Sequence, residues 1–387
     1  MPDPDVPIGE VLRALLARAH ELDPAELAAV VADEAGHGGI NEAEIWLVDR
    51  QQRFFANLTR AADVVPVDGS LMGDVYRRGR DHIDGEGAGS RVLVPLVDGV
   101  DRLGVLTAVV DAAVADVVAA VEALAALVAE LILAKSAYTD SIERVRRVEE
   151  MDIAAEMRWA LLPPLTMRTP RVSIAGMLEP AYEVAGDTFD YAVNADRAHV
   201  AVFDAVGHGL LAARLANLCV GAYRNRRRSG ATLEQTAEDL DAVLEEQFGN
   251  SLFVTSILGE LDLNTGLFRW IAAGHMPPLV MRAAKVVAEL SERPGLPLGI
   301  TRPERHAHEY QLEPRDTVVM YSDGVTEARS PNGEFFGLAR LIDHVERAAQ
   351  SGLSEPEQIR RLVVEVLMHQ TTTLNDDATL MLTCWNG

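Results

Sequence analysis

The sequence predicts an α+β protein with more than one domain. Three observations support this prediction: a length of 387 residues, apolar β-rich runs that alternate with helical periodicity, and a long uninterrupted helical stretch in the first half. Because single domains usually span about 100–200 residues, two or three domains are expected. The hydrophobic share of 48% and the charged share of 24% are typical of a globular chain with a substantial core.

Residues 8–112 predict the first of these domains, with mixed helices and strands. Apolar residues recur at helical spacings between residues 8 and 32, and the run 45–48 has the composition of a strand. Two further apolar runs flank Asp98-Gly99, a turn sequence typical of a β-hairpin.

Residues 113–162 predict a helical connector. No Gly or Pro lies between Asp111 and Leu162. Apolar residues alternate three and four positions apart at Val114, Val117, Val121, Leu124, Val128 and Leu131. This spacing is typical of a coiled coil, so a homodimer joined through the connector is expected. A long amphipathic helix packed on its own domain fits the same pattern.

Composition excludes several classes of partner. The chain has 35 Lys and Arg against 59 Asp and Glu, a formal net charge of −24, which disfavours nucleic acid and anionic membrane surfaces. Carboxylates interrupt the apolar stretch 114–134, which therefore predicts a soluble helix and no membrane partner. The acidic N-terminus lacks the basic region of a secretory signal, and Cys219 and Cys384 form no disulfide framework, so a cytoplasmic location is expected.

Residues 163–387 predict a β-rich domain in which carboxylates cluster at strand ends. They follow or precede apolar strands at Asp187, Asp204, Asp323, Asp376 and Asp377. Several converging carboxylates repel one another unless a cation lies among them, and all-oxygen ligand sets suit Mg²⁺ or Mn²⁺. Two such ions lower the pKa of a bridging water and hold a phosphate, so the pattern indicates metal-dependent phosphate hydrolysis.

Six motifs in this region resemble those of the PPM-type serine/threonine phosphatases, in the bacterial SpoIIE-like branch. In order they are EVAGDTFD at 183–190, DAVGHG at 204–209, AGHMPPL at 273–279, PLG at 297–299, YSDGVTEA at 321–328 and DDAT at 376–379. The resemblance covers roughly residues 150–385. It implies an α-β-β-α sandwich with two Mn²⁺ or Mg²⁺ ions between the sheets.

The resemblance also assigns roles to individual residues. It implies metal ligands at Asp187, Asp204, the backbone carbonyl of Ala205, Asp323 and Asp376, and a supporting role for Asp377. The implied substrate is a phosphorylated regulatory protein, an anti-sigma-factor antagonist. Three positions depart from the family pattern: Ala185 and Ala205 replace frequent glycines, and Arg158 replaces a frequent Gln. The alanines remove no carboxylate, and Arg158 bears on how the connector contacts the catalytic domain.

The N-terminal region resembles GAF sensor domains through shorter motifs. These are VDGSLMG at 67–73, VPLVDG at 94–99 and LGVL at 103–106. The resemblance implies control of the phosphatase by an unknown small-molecule or protein signal.

Other readings of the same residues remain open. The segment 207–212 has the context of a dinucleotide-binding loop, which predicts a Rossmann-type NAD(P) oxidoreductase, although no acidic residue follows at the required distance. A catalytically inactive scaffold of the phosphatase fold is a further alternative. Arg224–Arg228 predict either a basic helix end or a docking patch. His275 is a structural hydrogen-bonding residue or a proton donor.

Overall fold

The chain divides into two units, Met1–Glu150 and Met151–Gly387. The computed structural model describes residues 7–85, 87, 89–111, 115–180, 182, 186–291, 295–301, 303–370 and 377–387. The division falls inside the segment 113–162 that the sequence assigns to a connector, so the predicted domain limits remain a prediction.

The first unit is built on one six-stranded sheet with the order β3-β2-β1-β6-β5-β4. Its strands are β1 Ile40–Val48, β2 Phe54–Asn57, β3 Val64–Pro66, β4 His82–Asp84, β5 Ser90–Asp98 and β6 Asp101–Val110. Its helices are α1 Ile8–Ala19, α2 Leu27–His37, α3 Leu71–Arg78, α4 Ala115–Ser136 and α5 Asp140–Arg146, with a short 3-10 turn at Pro24–Glu26. Strands β5 and β6 form the hairpin predicted at Asp98-Gly99. The GAF-like identity of this unit stays a prediction.

The single connector helix predicted for residues 113–162 is wrong. The described part of this stretch forms three separate helices, α4, α5 and α6 (Ile153–Trp159). Thr139 accepts a hydrogen bond from Ser141 N (3.1 Å) and Asp152 accepts one from Ala155 N (2.6 Å), so each residue caps a new helix. Side-chain caps, rather than Gly or Pro, therefore divide this segment.

The heptad seam of α4 is filled by its own unit. Val121, Leu124 and Val128 are fully buried in the core of the first unit, together with Leu15 and Leu106. By length and composition alone, α4 is apolar enough to cross a membrane, with a mean hydropathy of 2.3. Because its apolar residues complete a core, the alternative of a helix packed on its own domain is the one observed. The described seam residues Val121, Leu124 and Val128 are therefore engaged within their own unit, and the homodimer stays a prediction.

The second unit contains two antiparallel sheets. The five-stranded sheet has the order β15-β12-β11-β10-β9 and the six-stranded sheet the order β14-β13-β16-β17-β8-β7. The strands are β7 Thr166–Arg168, β8 Val172–Glu179, β9 Asp187–Asn194, β10 Arg197–Ala205, β11 Val254–Asp262, β12 Leu267–Ala273, β13 Leu279–Arg282, β14 Lys285–Glu289, β15 His308–Gln311, β16 Thr317–Tyr321 and β17 Ala378–Trp385. The helices are α7 Gly209–Arg228, α8 Leu233–Phe248, α9 Asp323–Thr326, α10 Gly337–Gln350 and α11 Glu355–Gln370, with a 3-10 turn at Gly249–Ser251.

Apolar side chains arrange these elements in layers. Phe189 and Val200 of one sheet share a buried cluster with Val318 and Met381 of the other. Helices α7 and α8 pack on the outer face of the five-stranded sheet, and α10 and α11 on that of the six-stranded sheet. The mixed α/β architecture predicted from the sequence is therefore confirmed.

The dinucleotide-binding interpretation is wrong. The segment 207–212 does connect strand β10 to helix α7, as that motif requires. However, the named strands of both sheets pair antiparallel throughout the described residues, whereas a dinucleotide fold needs a parallel sheet. A strand-turn-helix connection alone does not distinguish the two folds.

Candidate functional site

Two of the predicted aspartates face each other across neighbouring strands. Strand β9 begins at Asp187, and the antiparallel register places Asp187 directly opposite Asp204 near the end of β10. Residues directly opposite in an antiparallel pair lie on the same face of the sheet. Asp187 is buried and Asp204 is half-buried. The sequence prediction that these two carboxylates converge is therefore confirmed by the register.

A glycine brings a backbone carbonyl to the same point. A Cβ atom on Gly186 would lie 1.9 Å from the carbonyl oxygen of Ala205, so no other residue fits without moving the backbone. Gly186 also accepts a hydrogen bond from Ala205 N (3.1 Å). The Ala205 carbonyl, a predicted metal ligand, thus lies against the residue that precedes Asp187.

The second sheet contributes the ends of β16 and β17. Ser322 N donates to Thr379 O (3.0 Å), and Ser322 Oγ accepts from Thr379 N (2.9 Å). A Cβ atom on Gly324 would lie 1.9 Å from the Asp377 carbonyl oxygen. Asp323, the first residue of α9, therefore lies between two residues that are held against the start of β17.

Asp377 connects the two sheets at this edge. Its Oδ2 atom accepts a hydrogen bond from the backbone N–H of Asp187 (3.1 Å), and its side chain is almost fully buried. The hydroxyl groups of Ser322 and Thr379 lie close to the Asp187 carboxyl. The structure thus brings Asp187, Asp204 and Asp377 together, with Asp323 beside them. Asp376 lies outside the described residues.

The Asp187 carboxyl is buried beside other carboxylates. Burial raises the pKa of Asp187 well above its ordinary value, and the neighbouring carboxylates of Asp204 and Asp377 raise it further. The nearby hydroxyl groups of Ser322 and Thr379 oppose this rise in pKa. Its Oδ2 atom is buried without a hydrogen-bond partner. Within the described ranges, which omit Asp376, no three His, Cys, Asp or Glu side chains are grouped closely enough to hold a metal ion.

Arg158 was not predicted to reach this site. It lies on α6 with 1% of its side chain exposed, and its Nη1 atom donates to Asp377 Oδ2 (3.0 Å). Its Nη2 atom donates to the carbonyl of Pro180. Burial lowers the pKa of Arg158, while Asp377 and Asp187 raise it. The departure from Gln at this position was visible in the sequence, but its partner lies 219 residues away.

His275 lies on the other side of Asp204. The buried ring places Nδ1 2.7 Å from Thr255 Oγ1, and that hydroxyl lies 3.3 Å from Asp204 Oδ2. Burial lowers the pKa of His275 to about 4, against a smaller opposing effect of the Tyr321 carbonyl. His275 is therefore neutral near pH 7. His208, by contrast, is exposed at the N-terminus of α7.

The lowered pKa of His275 predicts a pH-dependent stability. In the unfolded chain this histidine titrates near its ordinary pKa of 6.5, so below that pH only the unfolded state takes up the proton. The stabilisation is complete above pH 6.5 and is lost as the pH falls towards 4, by about 3 kcal/mol. In urea unfolding at several pH values, the free energy of unfolding of His275→Asn should fall by about 3 kcal/mol less between pH 6.5 and pH 4 than that of the unmodified protein.

The control for this prediction is His306→Asn, because the His306 side chain is 75% exposed. That variant should follow the unmodified protein across the same pH range. A His275→Asn variant with the full acid sensitivity of the unmodified protein would contradict the prediction.

Two arginines near the end of α7 pair with a buried aspartate. Arg224 Nη2 lies 2.6 Å from Asp190 Oδ1, and Arg227 Nη1 lies 2.7 Å from Asp190 Oδ2. Asp190 is completely buried, so this ion pair fixes α7 to strand β9. Arg224 and Arg227 are therefore engaged in contacts within the domain, which disfavours a docking patch at 224–228.

Several known proteins are similar to this chain. The family model for stage II sporulation protein E (SpoIIE) matches residues 194–386. The phosphoserine phosphatase RsbU of Bacillus subtilis is 27% identical over 237 residues, which cover 60% of this chain and 69% of RsbU. Protein IcfG of Synechocystis is 24% identical over 227 residues, which cover 50% of this chain and 35% of IcfG. This chain therefore matches only about a third of the second relative.

A solved structure shows the same fold. The SiaA-PP2C domain of Pseudomonas aeruginosa superposes with a TM-score of 0.51 at 20% identity. The match covers 60% of this chain and 94% of the SiaA domain. The similarity therefore involves the fold of a whole PP2C domain.

Proposed function

We propose, from the premise that the C-terminal domain is a SpoIIE-type domain of the PP2C/PPM serine/threonine phosphatase family, that this chain removes phosphate from phosphoserine or phosphothreonine on a regulatory protein. The observation that carries the proposal is the meeting of Asp187, Asp204 and Asp377 at one edge between two sheets. RsbU, described as a phosphoserine phosphatase, supports the same activity.

Two Mn²⁺ or Mg²⁺ ions are the proposed cofactors. Their ligands would be Asp187, Asp204, the Ala205 carbonyl, Asp323 and Asp376. The buried, unpartnered Oδ2 atom and raised pKa of Asp187 support a cation here, because a bound cation would stabilise the ionised form of a carboxyl group that burial and neighbouring carboxylates disfavour. These oxygen donors suit hard divalent ions. When bound, the ions would lower the pKa of an attacking water and offset charge on the phosphoryl oxygens.

The chain's own residues would position this centre. Asp377 fixes the start of β9 through the Asp187 N–H, and Arg158 fixes Asp377 in turn. Ser322 joins the ends of β16 and β17, which holds Asp323 at the site. The proposed reaction needs no protein nucleophile. Both cysteines are buried, and burial raises the pKa of Cys219 and of Cys384, which disfavours the reactive thiolate form.

The proposed substrate is a phosphorylated anti-sigma-factor antagonist, as the SpoIIE-like sequence motifs imply. The first unit would act as a GAF-like sensor of a small-molecule or protein signal, within a homodimer in the cytoplasm. Two buried free cysteines support a reducing compartment. The proposed domain limits are 8–112 for the sensor, 113–162 for the connector segment and 163–387 for the phosphatase.

Phosphate release from a phosphoserine-containing antagonist protein tests the proposal. Release is expected with Mn²⁺, to stop with excess chelator, and to fall by on the order of 100-fold or more in Asp323→Asn. Asp343→Asn is the matched control, because Asp343 is 67% exposed on α10. Release that persists in chelator would contradict the metal mechanism, and absence of release from every phosphoserine substrate would favour an inactive scaffold.

A further inference from the structure

Thr255 lies between a proposed metal ligand and a buried histidine. The antiparallel register of β10 and β11 places Thr255 directly opposite Asp204, on the side away from Asp187. At the end of β12, Gly274 has φ +71° and forms a bridge with Ser256. This turn sets His275 beside Thr255, so that His275, Thr255 and Asp204 form a continuous row of polar contacts.

We propose that His275 is a positioning residue for Asp204, and that it acts through the hydroxyl group of Thr255. In this arrangement His275 Nδ1–H donates to Thr255 Oγ1, which donates its own hydrogen to Asp204 Oδ2. The inference rests on the proposed function, because it concerns the orientation of a carboxylate that would bind metal.

The positions of the hydrogens follow from what each group can donate. An ionised carboxylate only accepts hydrogen bonds, so the 3.3 Å contact between Thr255 Oγ1 and Asp204 Oδ2 needs the threonine hydrogen. With that hydrogen committed, the 2.7 Å contact between Thr255 Oγ1 and His275 Nδ1 needs a hydrogen on the ring. Both contacts are satisfied together only in the Nδ1–H tautomer.

The opposite tautomer satisfies fewer contacts. A hydrogen on His275 Nε2 would turn the threonine hydroxyl towards Nδ1 and leave two acceptor oxygens, of Thr255 and Asp204, in contact. Nε2 is buried and makes no hydrogen bond of adequate geometry, and the Tyr321 carbonyl near the ring has only a small effect on the pKa of His275, so a hydrogen on Nε2 would gain at most a poorly aligned contact. Because the ring is neutral near pH 7, only one of its nitrogens carries a hydrogen.

The row also explains why a polar ring is retained in a buried position. His275 is 4% exposed, and an unpaired buried acceptor such as Nε2 is destabilising. An apolar residue would avoid that cost but would leave Thr255 free to rotate away from Asp204. The cost of burying the unpaired Nε2 atom therefore favours a role for His275 in orienting Thr255 and Asp204 over a role in core packing.

Mn²⁺ titration calorimetry of the full chain tests the inference with a matched pair of variants. Thr255→Val keeps the shape of the side chain and removes the hydroxyl, and Thr255→Ser keeps the hydroxyl. Because a hydrogen bond to a charged group is lost, Thr255→Val should weaken Mn²⁺ binding on the order of tenfold, and Thr255→Ser should stay within about threefold. Equal binding by Thr255→Val and the unmodified protein, or equal loss in both variants, would overturn the inference.

A second measurement is made on the unmodified protein, so it does not depend on whether a variant folds. Nitrogen-15 NMR of the unmodified protein reports which ring nitrogen carries the hydrogen, with His275→Asn used to assign the signals. The inference requires Nδ1–H, and an Nε2–H tautomer would overturn it. If the unmodified chain binds no Mn²⁺, the proposed function fails; if it binds and Thr255→Val binds equally, only the positioning role fails.

Discussion

Replacing Asp187 with asparagine is expected to abolish metal-dependent phosphate release and to stabilise the metal-free protein at the same time. The carboxyl group of Asp187 is buried, and Asp204 and Asp377 repel its charged form. Asparagine removes that repulsion but also removes a charged oxygen donor. We expect release to fall by on the order of 100-fold or more, while the unfolding temperature in chelator rises.

The raised pKa of Asp187 sets the direction of the pH effects. In the metal-free protein the folded state holds a proton that the unfolded chain loses above its ordinary carboxyl pKa, so the stability falls as the pH rises. Mn²⁺ must displace that proton, so its apparent affinity should increase with pH. In Asp187→Asn both dependences should weaken.

Thermal unfolding with chelator and with Mn²⁺ provides the measurement, and Asp343→Asn again serves as the exposed control. A variant that is less stable than the unmodified protein in chelator would show that the carboxylates do not repel one another at this site. Activity retained in Asp187→Asn would remove Asp187 from the proposed ligands.

Replacing Arg158 with glutamine, the residue frequent in the resembling family, is expected to destabilise the second unit strongly. The guanidinium and the Asp377 carboxylate are both 1% exposed, so the substitution leaves a buried charge without its partner. Loss of one member of such a pair usually costs about 3–5 kcal/mol. Since Asp377 also accepts from Asp187 N–H, Mn²⁺ binding should weaken as well.

Guanidinium chloride unfolding checks this prediction. The control is Arg347→Gln, whose pair with Asp343 is about two-thirds exposed and should contribute less than about 1 kcal/mol. Adding Asp377→Asn to Arg158→Gln should recover part of the lost stability, because the unpaired charge is then removed. A loss below 1 kcal/mol in Arg158→Gln would contradict the account of a buried ion pair.

The site residues that could be predicted from the sequence are the aspartates at the ends of strands. Asp187 begins strand β9 and Asp204 lies near the end of the neighbouring antiparallel strand β10, so the register alone brings them together. Strand patterns and glycine neighbours were sufficient for this inference. The same strand-end pattern singled out Asp323 and Asp377, which the structure places at the same edge, and Asp376, which lies outside the described residues.

Contacts between distant elements could not be predicted in this way. Neither the Arg158–Asp377 pair nor the row from His275 to Asp204 follows from periodicity, because each joins elements whose distance depends on the packing of the whole domain. The prediction of a single connector helix was wrong for a related reason. A heptad pattern fixes which face of a helix is apolar, but it does not identify what covers that face, and Thr139 and Asp152 act as caps that periodicity does not detect.

Gly186 and Gly324 have a consequence for how this domain tolerates substitution. Each lies where a single added methyl group would meet a carbonyl oxygen, one beside the end of β10 and the other beside the start of β17. The close approach of the carboxylate-bearing segments therefore requires that these two residues have no side chain. A comprehensive mutational scan should find these two neutral, non-reacting positions as intolerant as the charged residues they adjoin.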